Sequence, residues 1–318
     1  MEDKNNQVTN ESELGVMSIL DKNQQRTIIK TIGVGGGGVN AVNLMYHNIN
    51  GVTFAVIDSD RQQLIDSPVP NRVFLRPDTT HRSAAEESES EIAAFFDDDT
   101  KMAIIVAGMG GDTGTNAAPV IARIAHEECL LTVGIVTIPF QFEGTQKIQK
   151  ALEGIQEMSK YVDALFVINN QRLTEIYSDL DYANAFIKAD ESLAIVVGSI
   201  VYYSFNDVEY TLHKGGQAMV FSGYAAGERR MTKALENAFE SPLLKDCDKY
   251  GFKKILMSFL YNPDSESPLL MEDMNEVEEF MINLDQDAIC ICYLDCDRTL
   301  DNRIKVTVLA SGFNTTYG

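Results

Sequence analysis

Two glycine-rich runs about 75 residues apart constrain this chain more than any other feature. The first is Gly33-Val-Gly-Gly-Gly-Gly-Val-Asn40 and the second is Gly108-Met-Gly-Gly-Asp-Thr-Gly-Thr-Asn-Ala-Ala-Pro119. Each follows an apolar run that reads as a buried strand, Thr27–Ile32 and Ala103–Ala107, and each leads into a segment of helical character. Strand, glycine loop, helix is how a fold brings bare backbone N–H groups and a helix N-terminus against a phosphate. One such loop is weak support, because glycines also simply make turns. Two in one chain suggest a nucleotide held between two cradles.

The spacing leaves one alternative open. There is no G-x-x-x-x-G-K-[ST] run, whereas Gly33, Gly35 and Gly38 satisfy G-x-G-x-x-G after a strand. That fingerprint pairs with an acidic residue roughly 20 positions on. Asp58 and Asp60, after Phe54-Ala-Val-Ile57, stand near that place, so a dehydrogenase has to be weighed.

The rest of the chain sets the frame. Strands are expected at 27–33, 53–58, 71–75, 102–107, 131–138 and 163–168, alternating with helices at 39–48, 83–96, 115–128 and 143–159. Such alternation implies a parallel sheet covered on both faces, with ligands at the carboxyl ends of its strands. A long apolar helix over about 181–203 is the expected hinge to a smaller α+β part, with strands near 216–222, 253–261, 286–294 and 303–310 and helices near 229–239 and 272–282. The expected organisation is a flexible extension over 1–26, a nucleotide-binding domain over 27–180, the central helix and its following loop over 181–208, and an α+β domain over 209–318.

A net charge of −21 disfavours nucleic acid and anionic lipid as partners. The polar first 26 residues lack the apolar core of a signal peptide, and no stretch approaches 18 uninterrupted apolar residues. A cytoplasmic protein without direct membrane insertion is expected. Five cysteines show no disulfide spacing. Cys290 and Cys292 alternate in Ala288-Ile-Cys-Ile-Cys-Tyr-Leu294, with Cys296 close behind, and are expected as buried reduced thiols rather than metal ligands.

Several motifs together resemble the tubulin/FtsZ superfamily, and within it the bacterial FtsZ branch. Gly33 to Asn43 resembles its first glycine loop, and Gly108 to Pro119 its GGGTGTG signature. Pro139-Phe-Gln-Phe-Glu-Gly144, Asn169-Asn-Gln-Arg-Leu173, Ala185-Phe-Ile-Lys-Ala-Asp190, Ser241-Pro-Leu-Leu244 and Val306 to Phe313 continue the pattern. The resemblance covers about 27–313 and makes the dehydrogenase reading remote. It implies a two-domain α/β fold binding GTP or GDP. Gly35, Gly36, Asn40, Gly110, Gly111, Thr113, Gly114 and Thr115 would surround the phosphates, with Glu143 and Lys147 towards the ribose. Asn170, Phe186 and Asp190 would meet guanine, the ring by stacking and the carboxylate by accepting from two adjacent N–H donors.

Four departures from the family pattern bear on chemistry. Asp112 and Asn116 replace signature glycines, so a carboxylate stands where phosphate is expected; it either repels the phosphate, binds a magnesium ion or points outward. The segment Leu75 to Ser83 runs directly into a helix, without the family's glycine-rich insert. The family's N-T-D becomes Asp58-Ser-Asp60, adding a further carboxylate. In the fourth, a loop that normally reaches into the next subunit with an N-x-D-x-x-D pattern reads Tyr202-Tyr-Ser-Phe-Asn-Asp-Val208 and is about two helical turns short. Ser204 stands at the first acidic position and only Asp207 remains to act in trans. The sequence runs five residues past Phe313, so recruitment to the membrane through the family's C-terminal partner-binding peptide is not expected.

The resulting expectation is an FtsZ-like protein that binds guanine nucleotide, assembles head-to-tail with itself or with a conventional FtsZ, and hydrolyses GTP weakly or not at all. An active cell-division GTPase with a rearranged loop, and a module that keeps only the fold, are the alternatives.

Overall fold

In this computed structural model the described residues are 27–76, 80–97, 99–128, 130–177, 181–245, 247–248, 251–282, 284 and 287–314. The extension expected over 1–26 lies outside them. The first half alternates strand and helix as the sequence implies. β1 (Ile29–Val34) leads into α1 (Gly35–Asn48), and β2 (Thr53–Asp58) into the short α2 (Arg61–Asp66). β3 (Asn71–Phe74) is followed by α3 (His81–Glu87) and α4 (Glu89–Ala93), and β4 (Met102–Gly108) by α5 (Asp112–Glu127). β5 (Leu131–Ile138) precedes α6 (Thr145–Met158), and β6 (Ala164–Asn169) precedes α7 (Asn170–Ile176). The single helix expected over 83–96 is instead two, divided at Ser88, whose φ of −90° and ψ of 8° leave the helical range.

The central helix α8 (Tyr182–Tyr202) carries the chain across to the second half. There α9 (Phe205–Leu212), β7 (Gly216–Ala226), α10 (Arg230–Phe239), β8 (Lys254–Tyr261), α11 (Met271–Met281), β9 (Ile289–Cys296) and β10 (Arg303–Ser311) follow. All ten strands form one sheet in the order β3-β2-β1-β4-β5-β6-β7-β10-β8-β9. It is parallel from β3 to β7, and β10 then runs antiparallel between β7 and β8. The halves join where Ala164, Leu165 and Phe166 of β6 pair with Gly216, Gln217 and Ala218 of β7.

Burial on both faces explains why the first strands read as unbroken apolar runs. Along β4, Met102, Ile104 and Val106 pack into one core with α1 and α8, while Ala103, Ile105 and Ala107 pack into another with α5 and α6. A third core lies under α10 and α11 in the second half. α1 approaches the sheet so closely that a Cβ on Gly38 would stand 2.3 Å from the Val106 carbonyl oxygen. Part of the first glycine run is therefore a packing requirement, as the plain turn-and-packing reading of those glycines allows.

The cysteines depart from expectation. β9 is an edge strand, so Cys292 and Cys296 are exposed and Cys290 is half-buried. Burial still pushes the Cys290 thiol up to about 11 and raises that of Cys292. Among the described residues no group of His, Cys, Asp or Glu is arranged to hold a metal ion.

Candidate functional site

The carboxyl ends of β1, β4, β5 and β6 lie side by side, where an open parallel sheet offers a cleft to ligands, and the helices that follow begin there. Three of these begin at a glycine or directly after one, with no side-chain cap. α1 starts with Gly35 to Gly38 in its first turn, α5 after Gly111, and α6 after Gly144. Elsewhere α2, α3, α7, α8 and α9 are each capped by a side chain, from Asp60, Thr80, Asn169, Asp181 and Ser204, whereas α4 and α10 also start without one. Uncapped first-turn N–H groups need an acceptor from outside, and an anion meets that need.

The two glycine loops are built against each other. Gly35 has φ +68°, and a Cβ there would lie 2.7 Å from the Gly114 nitrogen. Gly110 has φ +97°, and a Cβ there would lie 2.7 Å from Pro139 Cγ, so both positions exclude side chains on conformation and on space. Thr115 folds back to accept from the Gly110 N–H at 2.8 Å, and the Thr113 hydroxyl lies 2.9 Å from that of Ser59. Gln63 of α2 donates to the Gly36 carbonyl and to Asn40 Oδ1, both at 3.2 Å. Gly35, Gly36, Asn40, Gly110, Gly111, Thr113, Gly114 and Thr115 thus come together at one place.

Asp112 does not stand as a bare carboxylate. Lys150 of α6 donates a hydrogen bond to it and holds its pKa below the usual range. The ammonium group offsets the charge of this carboxylate, whose side chain is 75% exposed. Asn116, in place of the last signature glycine, donates to the Asp112 carbonyl at 2.7 Å and stiffens the first turn of α5. Asp60 is the N-cap of α2, accepting from the Gln62 and Gln63 N–H groups. Asp58 is buried, accepts from Ser59 and Asp60 N–H groups at 2.6 and 3.3 Å, and is raised by burial.

At the far end, Glu143 braces its own turn by accepting from the Phe140 N–H at 2.9 Å and from Lys147 at 3.4 Å. Asn170 is buried, and its Oδ1 has no donor among the described residues. Phe186 stands edge-on to Phe140 at 5.4 Å and to Tyr182 at 5.3 Å. Phe142 stacks on Phe140 at 5.0 Å and is 57% exposed, and Tyr182 is 70% exposed. Exposed rings at a cleft mouth offer stacking surface to a flat, aromatic ligand. Asp190, one turn beyond Phe186 on α8, is raised to about 7 by burial, reinforced by Glu191. Sequence reasoning missed Phe140, Phe142, Tyr182 and Lys150; the Phe-Gln-Phe alternation and the four-residue spacing of Tyr182 and Phe186 were available signals.

The corner after α8 lies away from these residues. Only Tyr203 and Ser204 separate α8 from α9. Ser204 caps α9 through the Asp207 N–H at 3.3 Å and donates to Asp207 Oδ2 at 2.6 Å, and Tyr293 of β9 donates to the same oxygen. These bonds, Ser204 first, lower the Asp207 pKa. Tyr202 donates to Asp295 at 2.9 Å and Tyr203 to Ser258 at 3.1 Å. The truncation inferred from sequence is therefore a pinned corner, with Asp207 engaged in holding it.

Residues 28–178 match the model of the Tubulin/FtsZ family GTPase domain, residues 216–314 match that of the FtsZ family C-terminal domain, and a cell division protein FtsZ of Porphyromonas gingivalis is 43% identical over 309 residues. The chain belongs to the tubulin/FtsZ family. That relative is matched over 90% of this chain and 67% of its own length. FtsZ proteins of Rickettsia bellii and Bartonella bacilliformis are 36% and 38% identical, again over 90% of this chain, which spans 66% and 51% of their lengths. The solved structure titled as an empty FtsZ dimer of M. jannaschii superposes with a TM-score of 0.79 at 31% identity, covering 91% of this chain and 89% of that one. CetZ2 from Haloferax volcanii, at 17% identity and a TM-score of 0.73, shares the fold. Among the described residues no helix is long and apolar enough to cross a membrane.

Proposed function

We propose that this chain binds GTP or GDP in the cleft, assembles head-to-tail with itself or with a conventional FtsZ, and hydrolyses GTP slowly or not at all. The cleft suits such a nucleotide. Uncapped helix starts at Gly35, Gly111 and Gly144 would take the phosphates, joined by Gly36, Asn40, Gly110, Thr113, Gly114 and Thr115. Glu143 and Lys147 would flank the ribose. Phe186 and its neighbouring rings would stack on the base, Asn170 would offer its unpartnered Oδ1, and ionised Asp190 would accept from the guanine N–H pair. A guanine ligand gives a reason for a half-buried carboxyl that no donor among the described residues satisfies.

The observation that carries the catalytic part is the pinned corner. In-trans hydrolysis in the resembling family needs acidic groups on a loop long enough to reach a neighbour's nucleotide and polarise one water. Two residues of connection give no reach, Ser204 carries no charge, and Asp207 is spent on Ser204 and Tyr293. Losing positioned proton transfer costs a factor of ~100 or more.

Such a subunit would accept a neighbour's loop on one face and offer no catalytic loop on the other, as a scaffold or regulator in a filament. The identity to cell division FtsZ proteins supports a second reading, an active GTPase with another group at the Ser204 position. Nucleotide released on denaturation, together with phosphate release from GTP across a protein-concentration series, separates the readings. Bound guanine nucleotide without turnover fits the proposal, turnover rising with concentration fits the active enzyme, and no binding at all fits a fold-only module.

A further inference from the structure

Asp58 ends β2 at the carboxyl edge of the sheet, beside the meeting point of the two glycine loops. It is 3% exposed, and its Oδ1 takes the Ser59 and Asp60 N–H groups. Its Oδ2 is buried with no hydrogen-bond partner among the described residues. Thr113 at the start of α5 lies close enough to ease its charge, while its hydroxyl is shared with Ser59. Among the described residues no cation pairs with this carboxyl. Asp60, two residues on, adds negative charge. Arg61 of α2 lies over the Phe74 ring, Arg72 of β3 is turned to the Ser67 and Val69 carbonyls, Arg76 beyond β3 is exposed, and Asp112 of α5 is taken by Lys150. The adjoining end of β1 and start of α1, Val34 to Gly38, bring no charge.

An ionised carboxylate with one oxygen buried and unsatisfied is a costly state, and a bound phosphate beside it makes it costlier. The protonated acid has the opposite character: it is neutral, and its Oδ2–H is a donor that can face Thr113 or a phosphate oxygen. We propose that Asp58 is a binding residue of the phosphate pocket that works as a neutral carboxylic acid, so that nucleotide enters with uptake of a proton at this side chain. This rests on the nucleotide-binding reading above. A nucleotide that favours the protonated acid binds more weakly as pH rises past the point where free Asp58 ionises, by up to about tenfold per pH unit for one linked proton. Asp190 links with the opposite sign, since guanine favours its ionised form and releases a proton.

Calorimetric titration of GDP into the full chain, in buffers of different ionisation enthalpy, reads the net proton count. Asp58→Asn keeps the shape and removes the proton. The expected result is that GDP still binds the variant and that wild type minus variant shows proton uptake reaching towards one per nucleotide as pH rises. Infrared spectra of the GDP complex give a second readout: a protonated-carboxyl stretch that Asp58→Asn removes. GDP binding with identical proton counts in both proteins overturns the inference while leaving the nucleotide reading standing. Failure of wild type to bind GDP at all overturns both.

Discussion

Replacing Asp190 by Asn sets a gain in the free protein against a loss in the complex. Burial raises this carboxyl from 3.8 to about 7. An acid whose folded pKa lies above its unfolded one is held more tightly protonated in the native state. Stability is therefore greatest below the unfolded value and falls as pH rises towards the folded one, above which the loss is complete. Between about pH 5.5 and about pH 8 the group crosses some 1.5 units of that window, a loss of about 2 kcal/mol at 1.36 kcal/mol per unit. Asp190→Asn carries no charge and escapes it. Urea unfolding of nucleotide-free wild type and variant at those two pH values is expected to show the variant gaining about 2 kcal/mol on wild type. In GDP binding the sign reverses, because the amide cannot replace a charge-assisted acceptor; a loss of about tenfold or more is expected. A stability difference that does not move with pH would refute the reasoning, since the carboxylate would then be well solvated.

Three other substitutions address separate parts of the account. Gly35→Ala forces a Cβ to within 2.7 Å of the Gly114 nitrogen at φ +68°, and is expected to cost about 1–2 kcal/mol and to abolish measurable GDP binding while circular dichroism stays native. Lys150→Gln unmasks Asp112; because that carboxylate is 75% exposed, nucleotide affinity should fall only a few-fold at low salt, and the deficit should shrink in high salt. Tyr293→Phe removes the β9 hydroxyl from Asp207 and is expected to lower unfolding stability by about 1–2 kcal/mol without raising GTP turnover.

The fold was legible because its strands are buried on both faces and its glycines mark the loops at their ends. Phe54 to Ile57 and Ala103 to Ala107 read as strands because no polar residue interrupts them. The base end was legible only through family resemblance, since neither Phe186 nor Asp190 is distinguishable from a core aromatic and a surface acid by local pattern. Pairings distant in sequence were not legible. Lys150 and Asp112 stand 38 residues apart, Tyr293 and Asp207 stand 86 apart, and nothing local to either member points to the other. The half-exposed thiols were misjudged for a related reason: alternation gives the face of a strand, whereas the edge position of β9 is set by sheet order.

The corner after α8 carries the central claim, that this chain holds nucleotide without supplying the means to hydrolyse it. Phosphate release from GTP with magnesium, measured over a series of protein concentrations alongside a conventional FtsZ, tests it most directly. The account predicts a rate at least ~100-fold below the conventional protein at every concentration, with guanine nucleotide bound. A rate that rises with concentration to match the conventional protein would contradict it, and would mean that Asp207 leaves Ser204 and Tyr293 when subunits meet.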